Sequence, residues 1–235
     1  MSLRSAPEDV PESGLDTETD GTRPTAGRLA ALSVVCLASA AAIGWSVHTH
    51  APGFDTWLHE FAMHHRGGGV LGLARVITQG GSTLVVWPLI AIAALIYPRS
   101  AGARRWGTSA MIAAGAGAAI GARLVLSLVV QRPRPPLLDW ATQAGGFAFP
   151  SGHTNAATIG AGVLAWAVAR RLPRGRARIA VGVAAVVYAG AVGLSRVWLG
   201  VHWPLDVVGG WLFGAGWLAG MAAVIRVART RAPQR

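Results

Sequence analysis

The sequence predicts an all-α protein, a polytopic membrane helical bundle of about six transmembrane helices. Three observations carry that expectation. Hydrophobic residues make up 52% of the 235 and charged residues only 13%, about half the charged share of an ordinary soluble domain. Six apolar runs each approach the roughly 20 residues that a helix needs to cross a bilayer. Arginines gather in alternate loops between those runs, as the positive-inside rule requires.

Taken in order, residues 1–27 are polar and rich in Pro, Ser, Thr and Gly, and they hold Glu8, Asp9, Glu12, Asp16, Glu18 and Asp20. Such a composition buries no core and predicts a disordered cytoplasmic tail. An acidic leader with its apolar run starting only near Leu29 does not read as a signal peptide. The six spans are expected at 29–47, 77–97, 107–130, 153–170, 178–194 and 205–225. Residues 54–65, FDTWLHEFAMHH, are too short and too polar to span, and predict an amphipathic helix lying at the interface. Trp45, Trp87, Trp106, Trp198 and Trp203 fall near span ends, where indole rings favour the headgroup layer. The expected organisation is therefore a tail over 1–27, a membrane domain over 28–226 and a basic cytoplasmic tail over 227–235.

The net charge of +11 raises the question of nucleic acid. The basic residues are all arginine, and they cluster in short loops with no basic stripe interleaved with aromatics, so no nucleic-acid partner is expected. Arg99, Arg104 and Arg105, then Arg170, Arg171, Arg174, Arg176 and Arg178, then Arg226, Arg229, Arg231 and Arg235 alternate so as to share one side. That side is expected to be cytoplasmic, with both termini. Loops 48–76, 131–152 and 195–204 are then extracytoplasmic. The lone cysteine, Cys36, lies in the first apolar run and implies no disulfide framework.

Three segments on the outer side carry polar groups that are costly near lipid. QRPRPP, residues 131–136, ends the third span with stiff prolines and presents Arg132 and Arg134. Guanidinium forks suit phosphate, and equally they anchor helix ends at an interface. FPSGHT, residues 149–154, opens the fourth span. Ser151 is a good N-cap, Gly152 permits close backbone approach, and a helix N-terminus is a ready anion site. His153 follows as a titratable group, either interfacial or catalytic. SRVWLGVHWPLD, residues 195–206, supplies Arg196 with His202 and Asp206 at i, i+4, and Pro204 suits a helix start. A carboxylate so placed holds an imidazole in one tautomer; a structural pair stitching helices together has the same spacing.

Together these segments resemble the three signature motifs of the type 2 phosphatidic acid phosphatase superfamily, which includes membrane lipid phosphatases, bacterial acid phosphatases and vanadium haloperoxidases. The chain has Arg134-Pro135, then Pro150-Ser151-Gly152-His153, then Ser195-Arg196, His202 and Asp206 at the family spacing. The resemblance covers roughly residues 29–225 and implies the family's helical fold. It departs at one position: the family lysine falls on Ser127, and the chain has no lysine. Arg123, one turn earlier on the same face, reaches toward the site by snorkelling, or Arg132 takes that part, or the pocket binds phosphate less tightly.

The resemblance further implies displacement through a phosphohistidine. His202 is the expected nucleophile, Asp206 its support, and His153 the general acid–base. Arg134, Arg196, Ser151 and Gly152, with Arg123 and the Ser127 position, are the expected phosphate-binding set. Arginines then do the work of a metal, and no metal ion or cofactor is expected. A site at the outer membrane boundary takes a phosphate head while its tail stays in the bilayer, so the expected substrate is a lipid phosphate or a polyprenyl diphosphate. The alternatives are a lipid-linked phosphotransferase using the same phosphoenzyme, and a non-catalytic lipid-phosphate binder or transporter. His48, His50, His59, His64 and His65 are expected to be solvated or interfacial rather than metal ligands. Asp139 and Trp140 are given an ordinary loop role, and the Gly- and Ala-rich stretches 115–122 and 209–220 a role in close helix packing.

Overall fold

Apolar runs of this length satisfy their own backbone groups in lipid only as helices. The computed structural model describes residues 24–97 and 103–230, and among these it contains helices and turns but no strand. The eight helices described are α1 (Ala26–Val47), α2 (Gly53–His65), α3 (Gly68–Thr78), α4 (Thr83–Ile96), α5 (Ala103–Val130), α6 (Gly152–Ala169), α7 (Arg176–Trp198) and α8 (Pro204–Thr230). Most of the expected tail over 1–27 lies outside the described residues, as do Arg99, Arg231 and Arg235 of the basic segments. α8 continues to Thr230, beyond residue 226 where the membrane domain was expected to end.

Thr25 starts α1 by accepting a hydrogen bond from the Arg28 N–H through its side-chain oxygen, at 3.2 Å. α2 occupies the segment expected to be amphipathic, with its sides assigned unusually. Asp55, His59 and Ala62 are buried, whereas Phe54, Trp57 and Phe61 are exposed. The inner face therefore carries an acid and an imidazole, and the aromatic face looks outward.

The expected span over 77–97 is corrected. Residues 68–78 already form a helix, which the run Gly67-Gly68-Gly69 disguises as a loop. α3 then bends by 45° through Gln79–Gly81 into α4. α4 has 14 residues, about 21 Å of helix, short of the roughly 30 Å hydrocarbon core. The turn packs directly against the backbone of His153 at the start of α6. α7 also runs on to Trp198, so Ser195 and Arg196 belong to its last turns rather than to a loop.

α6 is the central helix. It packs against α4, α5, α7 and α8, and Ala157, Ile159, Val163 and Ala167 are fully buried. Ile159, Val163 and Ala167 join Val86, Ile90, Ile112, Ala116 and Ile225 in an apolar core. α1 lies along α8, with Ser33, Cys36 and Leu37 against Gly216. Among the described residues, four helices are long and apolar enough to cross a membrane, and five if the bent α3–α4 pair is one span. The expected six are not reached on length and composition. α6 has 18 residues, with His153, Thr154, Asn155 and Thr158 in its first half, and it is apolar mainly where neighbours cover it.

Phe149 is fully buried between α1 and α8. A Cβ on Gly44 would lie 2.6 Å from its ring, and a Cβ on Gly209 would lie 2.3 Å from it. Both helices therefore leave out a side chain to clamp the ring that precedes Pro150-Ser151-Gly152-His153. Gly209→Ala should cost about 1–3 kcal/mol through overpacking, read as a lower melting temperature in detergent. It should also lower activity by displacing the 150–153 turn. An unchanged melting temperature would show that the ring is not clamped.

Candidate active site

The site forms where four helix ends meet one helix face: the C-terminal ends of α5 and α7, the N-terminal ends of α6 and α8, and the inner face of α2. Short backbone hydrogen bonds hold the connecting segments together. Ser151 N donates to Asp206 O at 2.9 Å, Ala148 N to Arg132 O at 2.9 Å, and Val201 N to Arg196 O at 3.2 Å. The turn preceding His153 is thus fixed to the first turn of α8, and the loop carrying His202 to the end of α7.

His202 lies in the five-residue connection between α7 and α8 and is 1% exposed. Its Nδ1 is 3.4 Å from Asp206 Oδ2. Its Nε2 is 3.0 Å from Arg134 Nη1. A carboxylate only accepts and a guanidinium only donates, so one neutral tautomer satisfies both contacts. The proton sits on Nδ1 and the Nε2 lone pair faces Arg134. Burial, and then the charges of Arg134, Arg196, Arg123 and His153, hold the ring pKa well below the usual 6.5. A ring so held favours its neutral form, with the Nε2 electron pair turned to Arg134 in a cationic pocket.

Arg134 is lashed in place by backbone carbonyls. Its Nε donates to Gly146 O at 3.0 Å, its Nη2 to Gly145 O at 2.7 Å and Phe147 O at 3.2 Å, and its Nη1 to Val201 O at 2.7 Å. Arg196, 3% exposed, donates from Nη1 to Thr78 Oγ1 of α3 at 2.8 Å, and its Nε is buried without a partner. Arg123 donates from Nε to Pro150 O at 2.8 Å. Its guanidinium carbon lies 3.2 Å from where a Gly152 Cβ would stand. Glycine at 152 is what lets this cation lie against the α6 N-terminus.

Ser151 is fully buried at the N-cap position, but its hydroxyl does not cap α6. It accepts instead from Thr154 Oγ1 at 2.9 Å, a correction to its expected local role. His153, in the first turn of α6, is only partly buried. Ser127 is buried on α5, one turn beyond Arg123. The structure thus gathers His153, His202 and Asp206 at one end of the bundle with Arg123, Arg134, Arg196, Ser151 and Gly152.

Arg132 is a different matter. Treated from sequence as a phosphate fork, it is 1% exposed and bridges two buried carboxylates. Its Nη1 donates to Asp206 Oδ1 at 2.6 Å, and its Nη2 to Asp55 Oδ2 of α2. The second Asp55 oxygen accepts from Leu205 N at 2.8 Å. Sequence reasoning missed Asp55, although it shares a helical face with His59 and Ala62 and is one of the four acids beyond the tail. It also missed Thr78. His59, expected to be solvated or interfacial, is 4% exposed and pairs through Nε2 with Asp139 Oδ2 at 3.0 Å. Asp139 and His59 therefore tie the 131–151 segment to α2, which is more than an ordinary loop role. Among the described residues, no group of three or more His, Cys, Asp or Glu is disposed to hold a metal ion.

Comparison with known proteins places this site in context. The model of the PAP2 superfamily matches residues 106–230. The chain is 36% identical over 148 residues to decaprenylphosphoryl-5-phosphoribose phosphatase of Mycolicibacterium smegmatis, covering 60% of this chain and 72% of that protein. It is 26% identical over 178 residues to undecaprenyl-diphosphatase of Sulfolobus acidocaldarius, covering 74% and 79%. Its fold superposes on the crystal structure of a transmembrane PAP2-type phosphatidylglycerolphosphate phosphatase from Bacillus subtilis. The TM-score is 0.71 at 26% identity, over 86% of this chain and 98% of that one.

Proposed function

The chain belongs to the PAP2 superfamily, and from that premise we propose that it is an integral membrane phosphatase releasing phosphate from a lipid phosphate or a polyprenyl diphosphate. It is a phosphoric ester hydrolase by the company it keeps, since its named relatives are phosphatases of lipid and polyprenyl substrates. The observation that supports this most is the pairing of His202 with Asp206 on one ring nitrogen and Arg134 on the other.

In the proposed reaction, His202 Nε2 attacks phosphorus as the bond to the leaving oxygen breaks, and His153 gives that oxygen a proton. Asp206 stabilises the cationic imidazole of the phosphohistidine. His153 then takes a proton from water, whose oxygen attacks phosphorus and breaks the P–N bond, releasing phosphate. Arg123, Arg134, Arg196, the Ser151 hydroxyl and the Gly152 N–H hold the non-bridging oxygens. Phosphoryl transfer depends chiefly on such positioning and charge. A buried donor without an acceptor costs about 1–3 kcal/mol, so the unpartnered Arg196 Nε–H gains from a bound oxyanion. Arg123 stands in for the family lysine that Ser127 replaces, and three guanidinium groups do the work of a metal.

The proposal extends to topology. Counting the bent α3–α4 pair and buried α6 as spans gives six crossings. α6 starts at the site and ends, about 27 Å away, beside Arg170, Arg171 and the start of α7. Basic loops favour the cytoplasm, so the site faces the extracytoplasmic side and both termini the cytoplasm. Residues 28–226 form the catalytic domain.

Purified protein in detergent with EDTA should release phosphate from polyprenyl diphosphate and from at least some lipid phosphates. Activity lost to EDTA and restored by Mg2+ would overturn the metal-free mechanism; binding without release would overturn the hydrolase. Ser127→Lys should bind phosphate inhibitors no more weakly than wild type.

The pH dependence has a definite sign. A nucleophilic histidine fails only when protonated, and His202 is held well below pH 6.5. The acid limb of kcat/KM should therefore lie below pH 6.5, with activity retained at pH 6. The second ionisation of a terminal phosphate also falls near pH 6, so the profile should be corrected for the substrate's own titration before the enzyme limb is read. A limb at 6.5 or above would mean that the ring is not desolvated.

A further inference from the structure

We propose that Asp55 is a positioning residue for the reaction: acting through Arg132, it sets how much negative charge Asp206 presents to His202. The inference rests on the phosphatase mechanism above and adds a residue of α2, 147 positions before His202 in the chain, to the groups that position the reaction.

The geometry is a buried chain of four groups. Asp55 and Asp206 are fully buried and Arg132 nearly so. Arg132 divides its two terminal nitrogens, one to each carboxylate. Asp206 turns its remaining oxygen to Trp203 N at 2.8 Å and to His202 Nδ1. Asp55 turns its own remaining oxygen to Leu205 N, the residue before Asp206. It therefore holds both the cation that balances Asp206 and the backbone that carries it.

The charge count explains why two acids are present. Arg132 with Asp206 alone would be a neutral pair, and a neutralised carboxylate supports an imidazolium poorly. With Asp55 added, the trio carries a net charge of −1, and Asp206 keeps its carboxylate character toward His202. That matters when His202 becomes cationic on attacking phosphorus. A stabilising role alone is a weak account, because buried ion pairs commonly gain little over apolar residues of the same volume. The charged and titratable groups that bear on His202 are Asp206 from α8, Arg134 from the α5–α6 connection, His153 from α6, Arg196 from α7 and Arg123 from α5, with Arg132 acting through Asp206. Asp206 is the only anion in direct contact among these, so what weakens it is felt at the ring.

Asp55→Asn is the test, since the amide oxygen can still accept from Leu205 N while the negative charge is gone. At equal amounts of folded protein, kcat should fall about ten- to a hundredfold, the scale at which outer partners of a functional histidine act, with KM within about twofold. The imidazolium also loses a stabilising anion, so the acid limb of kcat/KM should move to lower pH by about half a unit or more. Substrate ionisation is common to both enzymes and cancels. Adding Arg132→Gln removes the unbalanced cation and should return the acid limb to the wild-type position or above it. That double variant also carries the test if Asp55→Asn alone is too unstable to purify. An acid limb that stays in place in whichever variant folds, or a kcat unchanged per folded molecule, would overturn the proposal. Wild type that releases no phosphate, or a His202→Ala variant as active as wild type, would instead strike the phosphatase mechanism itself.

Discussion

His202→Ala is expected to reduce phosphate release by at least about four orders of magnitude, the loss seen when a covalent catalyst is deprived of its nucleophile. The loss should appear in kcat, because the guanidinium groups and the α6 N-terminus that hold the phosphate are untouched. Arg134 keeps its carbonyl acceptors at Gly145, Gly146, Phe147 and Val201. Asp206 keeps Arg132 and Trp203 N. The variant should therefore fold, with a modest stability loss from the cavity left by a buried ring. The measurement is phosphate release from a polyprenyl diphosphate, at protein concentrations matched by a thermal unfolding transition. Phosphate should still protect the variant against unfolding. Retention of more than about one per cent of wild-type turnover would remove His202 as nucleophile, since no partial loss fits a covalent mechanism.

Asp206→Asn should be nearly as severe, with turnover falling about 10³- to 10⁴-fold, because a His–Asp pair fixed in the wrong tautomer loses activity on that scale. Asp206 accepts from three donors at once: Arg132, Trp203 N and His202 Nδ1. An asparagine side chain has one oxygen and one donating NH2 group. If the NH2 faces His202, the ring proton moves to Nε2 and the attacking lone pair is lost. If it faces Arg132, a donor opposes a buried cation. Either arrangement costs something, so stability is expected to fall as well, and turnover must be expressed per folded molecule. The pH profile separates the two effects: a simple loss of folded protein leaves its shape unchanged, whereas loss of the carboxylate beside the ring moves the acid limb assigned to His202 to lower pH. A variant within tenfold of wild type would mean that Asp206 only holds α8 to the rest of the bundle.

Arg132 and Arg134 illustrate how far neighbouring residues of one type can part. Two positions apart in a proline-stiffened segment, they are equivalent on any local criterion. Arg134 turns toward His202, while Arg132 turns into the bundle and disappears between Asp55 and Asp206. The direction each takes depends on where α2 brings an acid. The absent lysine has a similar resolution. Ser127 is buried, and the cation beside the α6 N-terminus comes from Arg123, held by the carbonyl of Pro150. Snorkelling along one helix face was legible in the sequence; the carbonyl that anchors the guanidinium was not.

What the sequence determined by itself is what depends on near neighbours. The helical bundle follows from apolar runs long enough to cross a bilayer, and the i, i+4 pairing of His202 with Asp206 follows from the pitch of one helical turn. The start of α6 at Gly152 follows from Pro-Ser-Gly-His, and the basic end of the bundle from arginines in short loops. Tertiary structure decided whatever joins distant segments. It bent α3 against α4, clamped Phe149 between glycines of α1 and α8, buried His59 against Asp139 and recruited Asp55 to the Arg132–Asp206 pair. Hydropathy and helical spacing are fixed within a few residues along the chain. The partner of a buried charge is fixed by which helix ends arrive beside it, and here those ends lie 77 and 74 residues from Arg132.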